Sequence, residues 1–227
     1  QQPATKELYW RGLVLTSFDG RTWTRTPDDL EIQEEATVSF EDLIEYSIVV
    51  EPHFQSWLFA LATPVKVAGT GLQVKKHVEG LIKSDANVFQ RTQNQDTSAR
   101  KVYYQDNSQL SSQELRLNLA IPSVGNVQTR TLAAMWVRAG MDTQQKIIAA
   151  LGMFQKDFSY TLSPPKLGDD VIDDFLFFSK RGFCEHFASS FAYLMRAAEV
   201  PARVVVGYLG GTYNNPNSYL VVSQADA

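Results

Sequence analysis

The period of the hydrophobic pattern changes near residue 128, and this change limits most strongly what the chain can fold into. Before it, short segments alternate apolar and polar residues, whereas after it apolar residues recur every three or four positions. Alternation is typical of half-buried strands, and the longer period is typical of amphipathic helices. The sequence therefore predicts an α+β fold, with a mostly antiparallel β domain over residues 1–125 and a second domain over residues 126–227.

Several segments of the first domain have the alternation expected of strands, with Gly, Pro, Asn, Asp and Ser clusters between them. The segments cover residues 43–50, 72–78, 99–104 and 115–121. In the last of them every odd position is a large aliphatic residue, which predicts a half-buried strand. The residues that follow it, Pro-Ser-Val-Gly-Asn at 122–126, predict a linker.

Helical periodicity is typical of the second domain. It predicts one helix over residues 129–139 with Gly140 as its C-terminal cap, and a second from Asp142, with a capping-box Gln, to Phe158. A third helix is predicted to begin at Cys184 and to end before Pro201. A buried strand is predicted at 203–208, with a strand at 219–222 as its antiparallel partner.

Charge and cysteine content exclude several classes of function. The 21 basic and 25 acidic residues give a net charge of −4 without any basic block, so no nucleic-acid partner is expected. The single cysteine excludes an internal disulfide and a multi-cysteine zinc site, and His53, His77 and His186 form no HxxxH or HExxH pair. No metal and no cofactor are therefore expected. The sequence contains no run of about 18 apolar residues, which is the length that a membrane-spanning helix needs. We therefore expect a soluble piece of a longer protein.

Cys184 is the candidate nucleophile. A lone cysteine is most often a buried structural residue, and that interpretation stays open. Three features favour catalysis: Gly182 allows a sharp bend just upstream, the apolar helix would hold the thiol rigidly, and Cys184 falls in a predicted first turn. Unpaired N–H groups and the helix dipole stabilise a thiolate at that position.

A thiolate nucleophile also needs a base within hydrogen-bond reach, and the histidines supply none convincingly. His186 is two positions after Cys184, which is about 200° around a helix. We therefore expect its ring to point away from the sulfur and to pack or hydrogen bond at the helix start. His53 and His77 fall in the predicted β domain, where an ordinary, partly exposed histidine is the commoner interpretation.

The residues around Cys184 closely resemble a known family. The run Gly-Phe-Cys-Glu-His-Phe-Ala at 182–188, with Val-Pro-Ala-Arg-Val-Val at 200–205 and Gly-Tyr at 207–208, is similar to the core of bacterial transglutaminase-like proteins. The N-terminal Tyr-Trp-Arg-Gly at 9–12 and Phe-Asp-Gly-Arg-Thr-Trp at 18–23 resemble its TgpA-type branch. Members of that branch are polytopic inner-membrane proteins with a large periplasmic domain, so the resemblance implies a periplasmic location for this chain.

The resemblance implies a papain-like fold and a Cys–His–Asp triad with Cys184 as its cysteine. The family's histidine would come directly after Ala227 and its aspartate further on, so we expect the core to be incomplete in this piece. The implied activity is that of a protein-glutamine gamma-glutamyltransferase, which acts through a thioester on Cys184. The implied partners are a polypeptide glutamine donor and an amine acceptor, for which cell-wall material is a candidate.

An oxyanion hole is needed for the tetrahedral intermediates of this reaction. The backbone N–H of Cys184 is expected as one donor, and Tyr160 is a weaker candidate for the second. Aromatic packing beside the cleft is the commoner role for a residue such as Tyr160.

Two other functions remain open on the sequence. One is a cysteine peptidase or amidase of the same fold, in which water replaces the amine. The other is a non-catalytic periplasmic module that binds polypeptides or cell-wall material.

The aspartates at 169, 170, 173 and 174 lack EF-hand spacing, so we interpret them as a solvated face or a helix N-terminus rather than a calcium site.

Overall fold

The computed structural model describes residues 8–25, 38–70, 72–76, 81–104, 110–214 and 219–223. The chain forms two compact units. The first draws on the segments Gln1–Val14, Glu31–Ser111 and Val205–Ala227, and the second on Leu15–Leu30 and Ser112–Val204. Each unit is therefore assembled from segments that are separated in the sequence, and the division at residue 125 stays a prediction.

Strands make up most of the first unit and helices most of the second. The strands are β1 (Tyr9–Leu15), β2 (Ser17–Phe18), β3 (Trp23–Thr24), β4 (Val38–Val50), β5 (Trp57–Leu58), β6 (Ala60–Leu61), β7 (Thr63–Thr70), β8 (Val74–Lys76), β9 (Ile82–Ser84), β10 (Thr92–Tyr104), β11 (Ser159–Tyr160), β12 (Arg181–Gly182), β13 (Val204–Leu209), β14 (Thr212–Asn214) and β15 (Tyr219–Val221). The helices are α1 (Ser112–Leu119), α2 (Val127–Arg138), α3 (Thr143–Asp157), α4 (Val171–Asp173), a π-helix (Asp174–Ser179) and α5 (Cys184–Ala197).

The first unit contains three three-stranded sheets, in the orders β4-β10-β7, β13-β1-β6 and β5-β9-β8, and the β14-β15 hairpin. The long strands β4 and β10 pair antiparallel over their whole length. A small core of Val50, Leu58, Ala60, Ile82 and Val88 is buried in this unit. The strands predicted at 43–50 and 99–104 are confirmed as parts of β4 and β10. That at 72–78 is confirmed at β8, and residues 77–80 lie outside the described part.

The strand predicted at 115–121 is wrong, because these residues contribute to helix α1. The alternating leucines do not form a buried face: Leu115 is exposed, whereas Glu114 and Asn118, four positions apart, are buried. That spacing belongs to one face of a helix. Gln, Glu, Leu and Arg are all good helix formers, so intrinsic helix propensity outweighs the alternation.

The predicted pairing between residues 203–208 and 219–222 is also wrong. Both segments form strands, but β13 pairs with β1, and β15 pairs with β14. Gly207 allows β13 to lie close to β1, since a Cβ there would overlap the carbonyl oxygen of Trp10. Gly210 and Gly211, both at positive φ (90° and 127°), then turn the chain into a separate hairpin.

Helices α2, α3 and α5 pack around an apolar cluster in the second unit. Its buried residues are Ala133, Ala150, Leu194, Met195, Ala198 and Val200. The predicted helix ends are confirmed: Asp142 and Gln145 form a reciprocal capping box at the start of α3, and Gly140, at φ 67°, follows α2. The helix predicted to begin at Cys184 is α5.

The aspartates at 170, 173 and 174 hold backbone groups in the second unit. Asp173 is buried and accepts hydrogen bonds from the N–H groups of Gln128 and Thr129, both 2.8 Å long, and thus caps α2. Asp170 accepts from the N–H of Asn126 (2.7 Å), and Asp174 from that of Gly168 (2.6 Å). Asp173 therefore lies at a helix N-terminus, that of α2, whereas the interpretation as a solvated face is wrong for it because it is buried.

Candidate active site

The π-helix leads the chain to the candidate nucleophile. Its last turn closes with a hydrogen bond from the Lys180 N–H to the Phe175 carbonyl (3.0 Å), and Lys180 itself is left-handed at φ 50°. The Lys180 ammonium lies 3.3 Å from the Asp157 carboxylate at the end of α3. Short π-helical segments are frequent at functional sites. Here the left-handed Lys180 at the end of the π-helix turns the chain into β12.

Strand β12 lies parallel to β11, so that Tyr160 is the register partner of Gly182. The N–H groups of Ser159 and Thr161 donate to the carbonyls of Lys180 (2.9 Å) and Gly182 (2.8 Å). This short ladder fixes the segment that contains Tyr160 beside the loop that ends at the cysteine.

Cys184 is the first residue of α5, and it is exposed. The backbone of the preceding residue, Phe183, is extended, and its phenyl ring has no oxygen or nitrogen that could cap the first turn. The N–H groups at the start of a helix have no partners within the helix. In the described part of the chain no side chain caps those of Cys184 and Glu185, so they are available to a ligand. Because Cys184 is exposed, the alternative that it is a buried structural residue is wrong.

His186 packs at the start of α5, as predicted. Its Nδ1 accepts a hydrogen bond from the Phe183 N–H (3.5 Å), and its ring meets that of Phe183 edge-on, with 4.5 Å between the ring centroids. The centroid of the His186 ring also lies 5.6 Å from that of the Phe175 ring. Because its Nδ1 already accepts this hydrogen bond, His186 stabilises the backbone just before α5.

Of the other two histidines, the structure describes His53. His53 belongs to the first unit, where its ring stacks with Trp57 and meets Phe59 edge-on. Burial lowers the pKa of His53, because it disfavours the charged imidazolium. His77 lies outside the described residues.

Tyr160 packs against α5 close to the cysteine. Its ring is stacked with that of Phe187, with 6.5 Å between the centroids and 17° between the planes, yet the residue is 62% exposed. Phe187 follows Cys184 by three positions and so lies on the same face of α5. The structure thus brings Tyr160 and Cys184 to one place. The Phe187 contact also agrees with aromatic packing, and the oxyanion role stays a prediction.

A cavity of about 350 Å³ lies on another face of the first turns of α5. Arg21, Lys166, Glu185, His186 and Ser189 are among its lining residues, and the Ser189 hydroxyl accepts a hydrogen bond from the Trp23 indole N–H (2.8 Å). No sequence pattern predicts this cavity, since the β2-β3 hairpin and the loop before α4 are far apart in the sequence and carry no joint signal.

Two comparisons decide the family. Residues 1–113 match the TgpA N-terminal domain family, and residues 130–226 match the transglutaminase-like superfamily. The chain is also similar to the crystal structure of the periplasmic domain of TgpA from Pseudomonas aeruginosa bound to ethylmercury. The TM-score is 0.90 at 33% identity, over 100% of this chain and 79% of that one. This chain belongs to the transglutaminase-like family.

Curated relatives extend the similarity. A protein-glutamine gamma-glutamyltransferase of Pseudomonas aeruginosa is 35% identical over 99% of this chain and 33% of its own length. The uncharacterized protein YebA of Bacillus subtilis is 47% identical over 22% of this chain and 7% of its own. The chain therefore spans about a third of the length of the first relative and a smaller part of the second.

Membership of the transglutaminase-like family confirms the predicted α+β fold, with an N-terminal β domain and a transglutaminase-like core. Among the residues that the structure describes, no cluster of His, Cys, Asp and Glu could hold a metal ion. Across the same residues, none of the helices combines the length and apolar character needed to cross a bilayer.

Proposed function

We propose that this chain supplies the nucleophile of a protein-glutamine gamma-glutamyltransferase, and that Cys184 is that nucleophile. The observation that carries the proposal is the exposed thiol at the uncapped first turn of α5, with Tyr160 beside it. A substrate carbonyl can approach such a thiol from solvent, and the free N–H groups of the turn stabilise negative charge that develops there.

In the first step, the Cys184 thiolate attacks the side-chain carboxamide of a glutamine, and a carbon–sulfur bond forms. The carbonyl oxygen becomes an oxyanion, which the backbone N–H of Cys184 stabilises, with Tyr160 as the proposed second donor. The intermediate then collapses, and the carbon–nitrogen bond breaks. The base, protonated when it took the thiol proton of Cys184, passes that proton to the nitrogen, which leaves as ammonia. A thioester remains on Cys184.

In the second step, a primary amine attacks the thioester carbonyl. The new carbon–nitrogen bond forms, the carbon–sulfur bond breaks, and the amine passes a proton to the base while the thiolate is restored. We propose that a histidine which follows Ala227 is this base, oriented by an aspartate, because the Nδ1 of His186 already accepts the Phe183 N–H. No step needs a cofactor.

We further propose a periplasmic location, with a polypeptide as glutamine donor and an amine-bearing acceptor, which includes cell-wall material. Similarity to the periplasmic domain of TgpA supports the location. Both Cys184 and Tyr160 are exposed, so water also has access to the thioester, and this access favours an amidase or peptidase as the second candidate.

The test uses the intact protein with a glutamine-containing peptide and a fluorescent primary amine, with ammonia release measured in parallel. We expect amine incorporation by the natural protein and a loss of about 1,000-fold or more in the Cys184→Ala variant, with an unchanged melting temperature because residue 184 is exposed. Lys156→Ala, an exposed change at the end of α3, is the matched control.

Three other results would contradict this proposal. Ammonia release without amine incorporation would identify an amidase. Binding of the peptide without any thioester, sought by mass spectrometry, would identify a binding module. Full activity of Cys184→Ala would exclude the nucleophile.

A further inference from the structure

Strand β11 has one edge that no described strand covers. Among the described residues its sheet contains one other strand, β12. The N–H groups of Ser159 and Thr161 donate to the carbonyls of Lys180, just before β12, and Gly182, within it. In a parallel pair, the residue between two such donors directs its N–H and C=O to the opposite side. The backbone N–H and C=O of Tyr160 therefore point together away from β12, and in the described part of the chain neither has a partner.

The surroundings of this edge have the character of a binding surface. Tyr160 is 62% exposed and Leu162 is 79% exposed, so both side chains are open to a chain that lies along β11. The opposite edge of the sheet differs, because the exposed residue of β12 is Arg181. Charged side chains on an edge strand discourage the addition of another strand. Of the two edges, that of β11 is therefore the receptive one.

Strand β11 also lies beside the segment that leads to Cys184. Tyr160 is in register with Gly182, two positions before Cys184, and its ring stacks on Phe187, one helical turn after Cys184. Residues three positions apart on a helix have Cβ atoms about 5–6 Å apart. A chain laid along β11 would thus pass within reach of the nucleophile for a side chain as long as that of glutamine.

We propose that the acyl-donor substrate is an extended polypeptide that pairs with the free edge of β11. The Tyr160 N–H donates to one substrate carbonyl and the Tyr160 C=O accepts from one substrate N–H, so that the glutamine side chain is directed to Cys184. This recognition by strand addition gives affinity through the main chain and is tolerant of sequence. It rests on the proposed function, and it names the substrate as an unfolded or loop segment rather than free glutamine or a small amide.

Hydrogen exchange at the Tyr160 amide tests the pairing directly. The intact protein with Cys184→Ala is mixed with the peptide acetyl-Ala-Thr-Val-Gln-Val-Thr-Ala-amide, and exchange is followed at single-residue resolution. We expect the Tyr160 amide to exchange quickly in the free protein and about ten-fold or more slowly at saturating peptide. The amides of Ser159 and Thr161, which already donate to β12, serve as internal controls and keep their rates. An unprotected Tyr160 amide at saturation would overturn the proposal.

A pair of variants separates the backbone of Tyr160 from its ring. In the Cys184→Ala background, Tyr160→Ala removes the ring and keeps the N–H, whereas Tyr160→Pro removes both. Proline is tolerated at an edge position whose N–H the sheet does not use. We expect the dissociation constant for the peptide to be about five-fold or more higher for the proline variant than for the alanine variant. Equal constants would contradict the role of the N–H.

Substrates with one peptide bond replaced by an ester test the Tyr160 carbonyl, because an ester has no N–H to donate. With the natural intact protein, we expect kcat/KM to fall about ten-fold for one ester position and to change less than two-fold for the others. A flat series would overturn strand pairing. If the peptide protects the Tyr160 amide but never forms a thioester with Cys184, the proposed function fails and the binding mode stands. If the thioester forms without protection of the Tyr160 amide, only the binding mode fails.

Discussion

The side chain of His186 occupies the space that a methyl group on Gly182 would need. A Cβ at residue 182 would lie 2.6 Å from His186 Cγ and 2.9 Å from Phe175 Cε2. Real Cβ atoms do not approach other atoms so closely, so only glycine allows β12 to lie against the first turn of α5. This contact, together with the hydrogen bond from Phe183 to His186, fixes the backbone on which Cys184 is placed.

The first prediction is that Gly182→Ala displaces Cys184. We expect the free energy of unfolding to fall by about 1–3 kcal/mol, as for other overpacked sites. Acyl transfer by the intact protein should fall about 100-fold, because a misplacement of about 1 Å has this effect on a nucleophile. Urea unfolding and amine incorporation measure the two effects. Gly152→Ala in α3 is the control, because a Cβ there would meet no described atom within 4 Å apart from its chain neighbours and the helix's own backbone. Equal behaviour of the two variants would contradict the prediction.

Asp173 is predicted to be a large contributor to the stability of the second unit. One of its oxygens, Oδ1, accepts from both the N–H and the hydroxyl of Thr129 (2.8 and 2.6 Å), and the other accepts from the Gln128 N–H. Asp173→Ala leaves the two buried donors of Thr129 and the half-buried N–H of Gln128 without this partner, and it removes the cap of α2. We expect a loss of about 3 kcal/mol in the free energy of unfolding, measured with urea.

Two variants calibrate the Asp173 result. Thr129→Val deletes the hydroxyl alone and should cost about 1 kcal/mol. Asp173→Asn keeps one acceptor oxygen and should be intermediate between the two. If Asp173→Ala costs no more than Thr129→Val, the cap carries little free energy and the prediction is wrong.

The sequence predicted those features whose signals are local. The capping box of Asp142 and Gln145 and the start of α5 at Cys184 depend on residues within one turn of each other, and both are confirmed. The cap that Asp173 provides for α2 crosses more than 40 positions (|i−j| of 44 to Thr129), and no local pattern contains it. The ladder that places Tyr160 beside Gly182 also joins segments that are separate in the sequence, so no local pattern indicates it.

Strand pairing and the identity of α1 were not predictable for a different reason. An alternating pattern states which residues share a face, but it does not choose between strands that compete for one partner, and β1 is distant in sequence from β13. In α1 the buried positions are polar, Glu114 and Asn118, so hydrophobicity pointed to the wrong face. Both errors arise where tertiary context overrides local preference.

Arg196 is predicted to be irreplaceable by lysine. The guanidinium is buried, its Nε donates to the Ala202 carbonyl (2.7 Å), its Nη1 donates to the Ala120 carbonyl (2.9 Å), and it lies 4.7 Å from the centroid of the Trp23 ring. Burial lowers the pKa of Arg196 to about 10. A lysine ammonium cannot span both carbonyls or stack on the indole. We expect Arg196→Lys to cost about 2–4 kcal/mol in urea unfolding, whereas the exposed Arg138→Lys costs less than about 0.5 kcal/mol.

Asp96 makes the stability of the first unit depend on pH. It is buried on β10 opposite Tyr46, and neither of its carboxyl oxygens has a hydrogen-bond partner among the described residues. Burial raises its pKa from 3.8 to about 7. Between these two values the unfolded chain has lost the proton and the folded chain still binds it. The contribution of Asp96 to the free energy of unfolding therefore falls as pH rises from about 4 to about 7, and it is constant above that range.

The last prediction is that Asp96→Asn removes this dependence. Asparagine keeps the shape of the side chain and never ionises, so the variant should equal the natural protein near pH 4. It should be more stable by about 2–4 kcal/mol at pH 8, since each pKa unit corresponds to about 1.4 kcal/mol. Urea unfolding at half-unit pH steps measures the difference, with the exposed Asp169→Asn as a control that should follow the natural curve. A constant difference between Asp96→Asn and the natural protein from pH 4 to 8 would show that Asp96 ionises equally in both states.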